Sequence, residues 1–167
     1  KYTSMFEGTY TALVTPFSKG RLDRSSFQKL IRSQAKGGVD GIVPVGTTGE
    51  SPTLNTDEHL EIIAEAVKHA GKSLKVIAGT GGNSTNEAVH LTKGAERLGA
   101  DASLQVSPYY NKPSQEGLFQ HFRAVARATK LPIILYSIPG RCNVTIAVET
   151  VVRLKKACKN IVAIKEA

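Results

Sequence analysis

The 167-residue chain is 41% hydrophobic, enough to bury one core and too short for two. Its 22 Lys and Arg against 14 Asp and Glu give a net charge of +8, but they are scattered. The densest cluster is Lys155-Lys156 with Lys159 nearby, so a solvated surface is expected and a nucleic-acid partner is not. Two cysteines, Cys142 and Cys158, exclude a disulfide scaffold and suit a reducing, cytoplasmic setting. No apolar run approaches the ~20 residues of a membrane helix, and no basic-then-apolar leader opens the sequence.

In chain order, apolar or β-branched runs at 9–15, 41–45, 74–78, 102–107, 132–138 and 161–164 each predict a buried strand. Helical spacing fills the intervals. Phe27, Leu30, Ile31 and Gln34 follow Asp23 as N-cap, and Leu60, Ile63, Ala64 and Val67 follow Asn55 with Glu58 at the capping-box position. Ser84-Thr85-Asn86-Glu87 opens a third helix with another capping box, continued by Ala88, Leu91, Ala95 and Leu98. A fourth helix is predicted over 115–128 and a fifth over 146–157. Strands recur about every 30 residues, the period of a β/α unit. The class is therefore α/β with a parallel sheet, in a single domain spanning 1–167.

Periodicity does not separate a closed eight-stranded barrel from an open doubly wound sheet. The phosphate loops that would favour the open sheet are incomplete. Gly71-Lys72-Ser73 has Ala66 where a P-loop needs glycine, and Gly79-Thr80-Gly81-Gly82 has Ser84 at the third glycine position of a dinucleotide fingerprint.

Reactive groups of a parallel β/α protein collect where strands end and helices begin. The second strand ends in Gly46-Thr47-Thr48-Gly49-Glu50, whose hydroxyls and turning N–H groups suit a carboxylate; a glycine turn satisfied by its own threonines reads the same way. The fourth ends in Ser107-Pro108-Tyr109-Tyr110-Asn111-Lys112-Pro113, and the fifth delivers Tyr136, then Pro139-Gly140-Arg141. A phenol donates and accepts a proton, so threonine and tyrosines on one rim make a relay, and Arg141 offers a fork for a carboxylate. An amphipathic tyrosine plug and a surface ion pair are the plainer alternatives. Lys165 ends an otherwise apolar strand. By alternation Ile161, Ala163 and Lys165 share one face and Glu166 takes the other. If that face lines a ring of strands, desolvation favours the neutral amine that attacks a ketone; otherwise the lysine snorkels to water.

Ala12-Leu13-Val14-Thr15-Pro16-Phe17, Val45-Gly46-Thr47-Thr48-Gly49-Glu50-Ser51, Pro108-Tyr109-Tyr110-Asn111-Lys112-Pro113, Leu135-Tyr136 and Ile164-Lys165-Glu166-Ala167 together resemble the dihydrodipicolinate synthase and N-acetylneuraminate lyase superfamily over essentially the whole chain. The resemblance implies a (β/α)8 TIM barrel, of which the chain covers the first six strands and five helices. It also implies a Schiff-base lyase with no separate cofactor and no metal. On that reading Lys165 forms an imine with pyruvate and Tyr136 shuttles protons and holds the pyruvate carboxylate. Thr47 and Tyr110 complete a Thr-Tyr-Tyr relay, Tyr110 reaching into a neighbouring subunit. Thr48 binds the pyruvate carboxylate, and Arg141 takes that of L-aspartate semialdehyde. The implied product is 4-hydroxy-tetrahydrodipicolinate, in lysine biosynthesis through diaminopimelate, and the implied assembly is a homotetramer built from dimers. Ser51, His59, Asn83, Glu87 and Tyr109 match positions where relatives bind lysine as a feedback inhibitor, with Glu87 equally explained as the capping acid. Ser137, Cys142 and Asn143 depart from the residues common there and bear on the second substrate. A sibling pyruvate-dependent aldolase (an N-acetylneuraminate lyase or keto-sugar-acid aldolase) and a catalytically silent truncated fragment are the alternatives. Six strands do not close a barrel of ~250 residues, so the sequence is expected to be part of something longer.

Overall fold

The computed structural model describes residues 5–167, so positions 1–4 of the predicted domain lie outside the described residues. In chain order the elements are β1 (Tyr10–Ala12), a hairpin of β2 (Phe17–Ser18) and β3 (Arg21–Leu22), α1 (Arg24–Lys36), β4 (Gly41–Val43), α2 (Thr56–Ala70), β5 (Lys75–Gly79), α3 (Thr85–Leu98), β6 (Ala102–Val106), α4 (Gln115–Arg127), β7 (Ile133–Ser137), the one-turn α5 (Pro139–Cys142), α6 (Val148–Ala157) and β8 (Ile161–Glu166).

The six-stranded sheet is parallel and runs β1-β4-β5-β6-β7-β8. A doubly wound sheet reverses its strand order at a switch point, whereas this order climbs without reversal. It is the curved wall of a TIM barrel. The long helices pack in series, α1 on α2, α2 on α3, α3 on α4 and α4 on α6. Phe27, Ile31, Ile62, Ile63 and Ala66 form the core against the first strands, and Leu118, Phe122, Val125, Ile133, Leu135 and Leu154 the core against the last. On the opposite face Ile77, Ala102, Leu104, Ile134 and Tyr136 line the lumen, with Phe6 and Tyr10 packed against them.

The helix starts follow capping chemistry. Asp23 accepts the N–H of Ser26, and Asn55 and Glu58 form a reciprocal capping box. The predicted box at Ser84 is only half made: Ser84 accepts the Glu87 N–H, but the Glu87 carboxylate turns away.

Three features differ from the sequence expectation. The two-residue strands of the hairpin and the four-residue α5 are too short to leave a periodic signal, and β1 and β4 are shorter than the apolar runs containing them. The third concerns the lysine strand. Ile161 sits beside Ile133, but Ala163 sits beside Ile134, so Val162 is an extra residue and the ladder bulges there. The bulge reverses the facing: Ile161 joins the helix-side core, while Ala163 and Lys165 share the lumen face with Ile134 and Tyr136. Alternation through Ile161 therefore fails, and the grouping of Ala163 with Lys165 stands.

Candidate active site

The turn after β4 depends on Val45, which is buried yet held at φ 50°, a left-handed conformation that β-branched residues rarely adopt. This reversal lets the Gly46 carbonyl accept the N–H groups of Gly49 at 3.0 Å and Ser51 at 3.3 Å, winding Thr47–Gly49 into a single 3₁₀ turn. Thr15, at the end of the first strand run, donates its hydroxyl to the Gly49 carbonyl at 2.8 Å. Thr47 thereby stands on the wall of a cavity of about 10 Å³, room for one water, lined also by Gly79, Gly81, Leu104, Val106 and Tyr136. Sequence reading passed over the two glycines as a failed phosphate loop. A Cβ on Gly79 would collide with the Val45 carbonyl and one on Gly81 with the Val106 nitrogen, so their absent side chains let three strand ends converge.

Through Thr47, Ser51 and Val106 this cavity continues into a cleft of about 210 Å³, whose far wall is Tyr109, Ile138, Arg141 and Cys142. Lys165 lines neither, but adjoins the smaller cavity through Tyr136 on its wall. It is the register partner of Tyr136, and its Nζ stands 4.2 Å from the centre of the Tyr136 ring. The phenol is buried, but β8 is the edge strand and Lys165 is exposed. The dry lumen expected around the amine is therefore absent from the 167-residue chain.

The remaining predicted residues divide. Thr48 is exposed and lines neither cavity nor cleft. Tyr110 is 92% exposed, at φ 73°, and borders an outer cleft of about 580 Å³ that shares Tyr109, Arg141 and Cys142 with the cleft of about 210 Å³. Of the proposed relay, one chain thus brings together Thr47 and Tyr136 and leaves Tyr110 facing outward.

Ser51, His59, Asn83, Glu87 and Tyr109 all line one further cleft of about 260 Å³. The His59 Nε2 lies 2.6 Å from the Gly79 carbonyl; a carbonyl only accepts, so that nitrogen carries the proton. Burial holds the His59 pKa below its ordinary value, although the Gly79 bond and the Glu87 carboxylate oppose the shift. Burial also pushes the Tyr109 phenol up, and Glu87 adds to this. Because Ser51 and Tyr109 line both clefts, they form the partition between them. Among the described residues, no three metal-ligating side chains come together and no helix is long and apolar enough to cross a membrane.

A one-way parallel β/α wall carrying a hydroxyl turn, a buried phenol, an arginine and a lysine at the carboxyl ends of its strands defines a TIM-barrel protein with its reactive rim in the usual place. The chain belongs to the dihydrodipicolinate synthetase family, whose profile matches residues 5–167. The 4-hydroxy-tetrahydrodipicolinate synthase of Endomicrobium trichonymphae is 54% identical over 163 residues, 98% of this chain and 56% of that protein. Among solved structures, the 4-hydroxy-tetrahydrodipicolinate synthase of Methylacidiphilum fumariolicum SolV superposes with a TM-score of 0.95 at 57% identity, covering 97% of this chain and 54% of that one. The dihydrodipicolinate synthase of Acinetobacter baumannii complexed with pyruvate gives 0.92 at 51% identity, covering 96% and 55%. The DHDPS of Cyanidioschyzon merolae with lysine bound gives 0.91 at 46%, covering 95% and 54%. The chain spans about half the length of the relatives it matches.

Proposed function

We propose that the chain carries the pyruvate half of a Schiff-base lyase that condenses pyruvate with L-aspartate semialdehyde to 4-hydroxy-tetrahydrodipicolinate. The observation that carries the reading is the register pairing of Lys165 with the buried Tyr136, with the amine 4.2 Å from the ring centre. The neutral Lys165 amine adds to the pyruvate ketone, a C–N bond forms and water leaves, giving an imine. The cationic imine nitrogen acidifies the methyl group; loss of a methyl proton gives an enamine, whose carbon attacks the aldehyde. The Tyr136 hydroxyl moves protons at the reacting carbons, relayed by Thr47 and, from a neighbouring subunit, Tyr110. The Thr47–Thr48 turn supplies hydroxyls and N–H groups for the pyruvate carboxylate. No metal or separate cofactor takes part. The outward, strained Tyr110 supports a dimer contact within a homotetramer, and the free buried thiols of Cys142 and Cys158 support a cytoplasmic setting.

Arg141, on the wall of the cleft that contains Thr47, is the residue for the semialdehyde carboxylate. The test uses a chimera in which this chain is continued by the rest of the Endomicrobium trichonymphae synthase. Charge-assisted hydrogen bonds contribute roughly 1.5–3 kcal/mol, so Arg141→Ala should lower kcat/KM for aspartate semialdehyde by about 10- to 100-fold, leaving exchange of the pyruvate methyl protons unchanged. An unaffected rate with this aldehyde would favour a sibling aldolase. The second cleft suits lysine as an inhibitor: Glu87 meets an ammonium, and Asn83, Ser51 and Tyr109 offer neutral hydrogen bonds.

A further inference from the structure

Cys142 is buried on the wall of the cleft that holds Arg141, its immediate neighbour on α5. Its Sγ donates to the Ser107 carbonyl at 3.2 Å, across the gap between α5 and the end of β6. Ser107 is fully buried and bonded in turn to Tyr136, the register partner of Lys165: its N–H donates to the Tyr136 carbonyl at 2.9 Å and its hydroxyl to the same oxygen at 3.3 Å. The thiol therefore ties the turn carrying Arg141 to the end of the neighbouring strand β6. The helix has one turn, closed by the bonds of Arg141 and Cys142 N–H to the Ile138 carbonyl and of Asn143 N–H to the Pro139 carbonyl, and Asn143 ends it at φ 56°. Arg141 itself is exposed and has no ion-pair partner among the described residues. Burial pushes the thiol pKa up, which keeps the S–H proton in place for donation.

We propose that Cys142 is a positioning residue for Arg141, setting through its hydrogen bond to Ser107 how the guanidinium meets the second, anionic substrate. This rests on the reading of Arg141 given above, and it assigns a second-substrate role to a position that carries no chemistry of its own. A thiol is a weak donor, so the effect is modest and confined to one substrate. Two measurements test it, and neither outcome depends on the other. In the 167-residue chain, Cys142→Ala should speed hydrogen exchange of the Cys142-position and Asn143 amides by about tenfold, and Cys142→Ser, which keeps a donor, should stay near the parent rate. Equal exchange in all three chains would overturn the tie, whatever the chain catalyses. In the chimera, Cys142→Ala should raise KM for aspartate semialdehyde several-fold, while kcat and pyruvate methyl exchange stay within about twofold, and Cys142→Ser should restore KM. A fall in kcat and pyruvate exchange together with unchanged KM would assign Cys142 a general structural role and refute the proposal. Absence of pyruvate exchange in the parent chimera would refute the lyase reading, leaving the exchange result on α5 to stand or fall alone.

Discussion

Tyr136→Phe in the chimera should slow exchange of the pyruvate methyl protons into deuterated water by about 10²- to 10⁴-fold, the usual contribution of a positioned acid-base group. The substitution is nearly isosteric. Tyr136 is 4% exposed, packed among Ile77, Leu104 and Ile134 on the lumen face, so phenylalanine keeps the ring, its packing and the surface beneath Lys165. Only the hydroxyl is lost, the group proposed to move the proton. Unfolding by urea should shift by less than about 1.5 kcal/mol, the net contribution of one hydrogen bond. A full exchange rate in the phenylalanine variant would remove the phenol from the relay and leave Thr47 or water to replace it.

The second large effect concerns acid stability. His121 on α4 is buried, its Nδ1 is 2.8 Å from the Thr85 hydroxyl, and its Nε2 has no partner. Burial pushes its pKa from the ordinary 6.5 down to about 4. Between those values the unfolded chain takes up a proton that the folded chain refuses. Stability is therefore fully present above pH 6.5 and falls as the pH drops towards 4, by roughly 3 kcal/mol for a shift of this size. The lowered pKa of the buried His59 acts in the same direction. His121→Asn keeps a group able to bond Thr85 and does not titrate. Urea unfolding of the 167-residue chain at pH 7 and pH 4.5 should show a markedly smaller acid loss in the variant. An identical loss would place the acid sensitivity elsewhere.

Much of this architecture was readable beforehand, and the reasons for what was not are local. Apolar runs marked every sheet strand and period-3.6 spacing every long helix, because a strand covered on both faces is apolar throughout and a helix buries one stripe, and Asn55 with Glu58 announced its helix correctly. The bulge at Val162 was hidden because Ile161, Val162 and Ala163 are all apolar, so alternation has nothing to register. Glu87 shows the same ambiguity at a cap: three residues after a serine it reads as a capping acid, yet its carboxylate faces the cleft of His59 and Tyr109. Thr47, Tyr136 and Arg141 were recognisable as rim residues because a parallel strand delivers its last residues to one face. Gly79 and Gly81 were not, since their contribution is the approach of three backbones, and no side chain reports it. Tyr110 and Lys165 both stand exposed, and exposure leaves no pattern in a sequence.

The central claim is that the Lys165 amine bonds covalently to pyruvate. Treating the chimera with pyruvate and borohydride, then locating the reduced adduct by peptide mass spectrometry, tests it directly. The adduct should fall on Lys165, require pyruvate and vanish in Lys165→Ala; a folded chimera that takes up no pyruvate, or carries it on another lysine, would contradict the account.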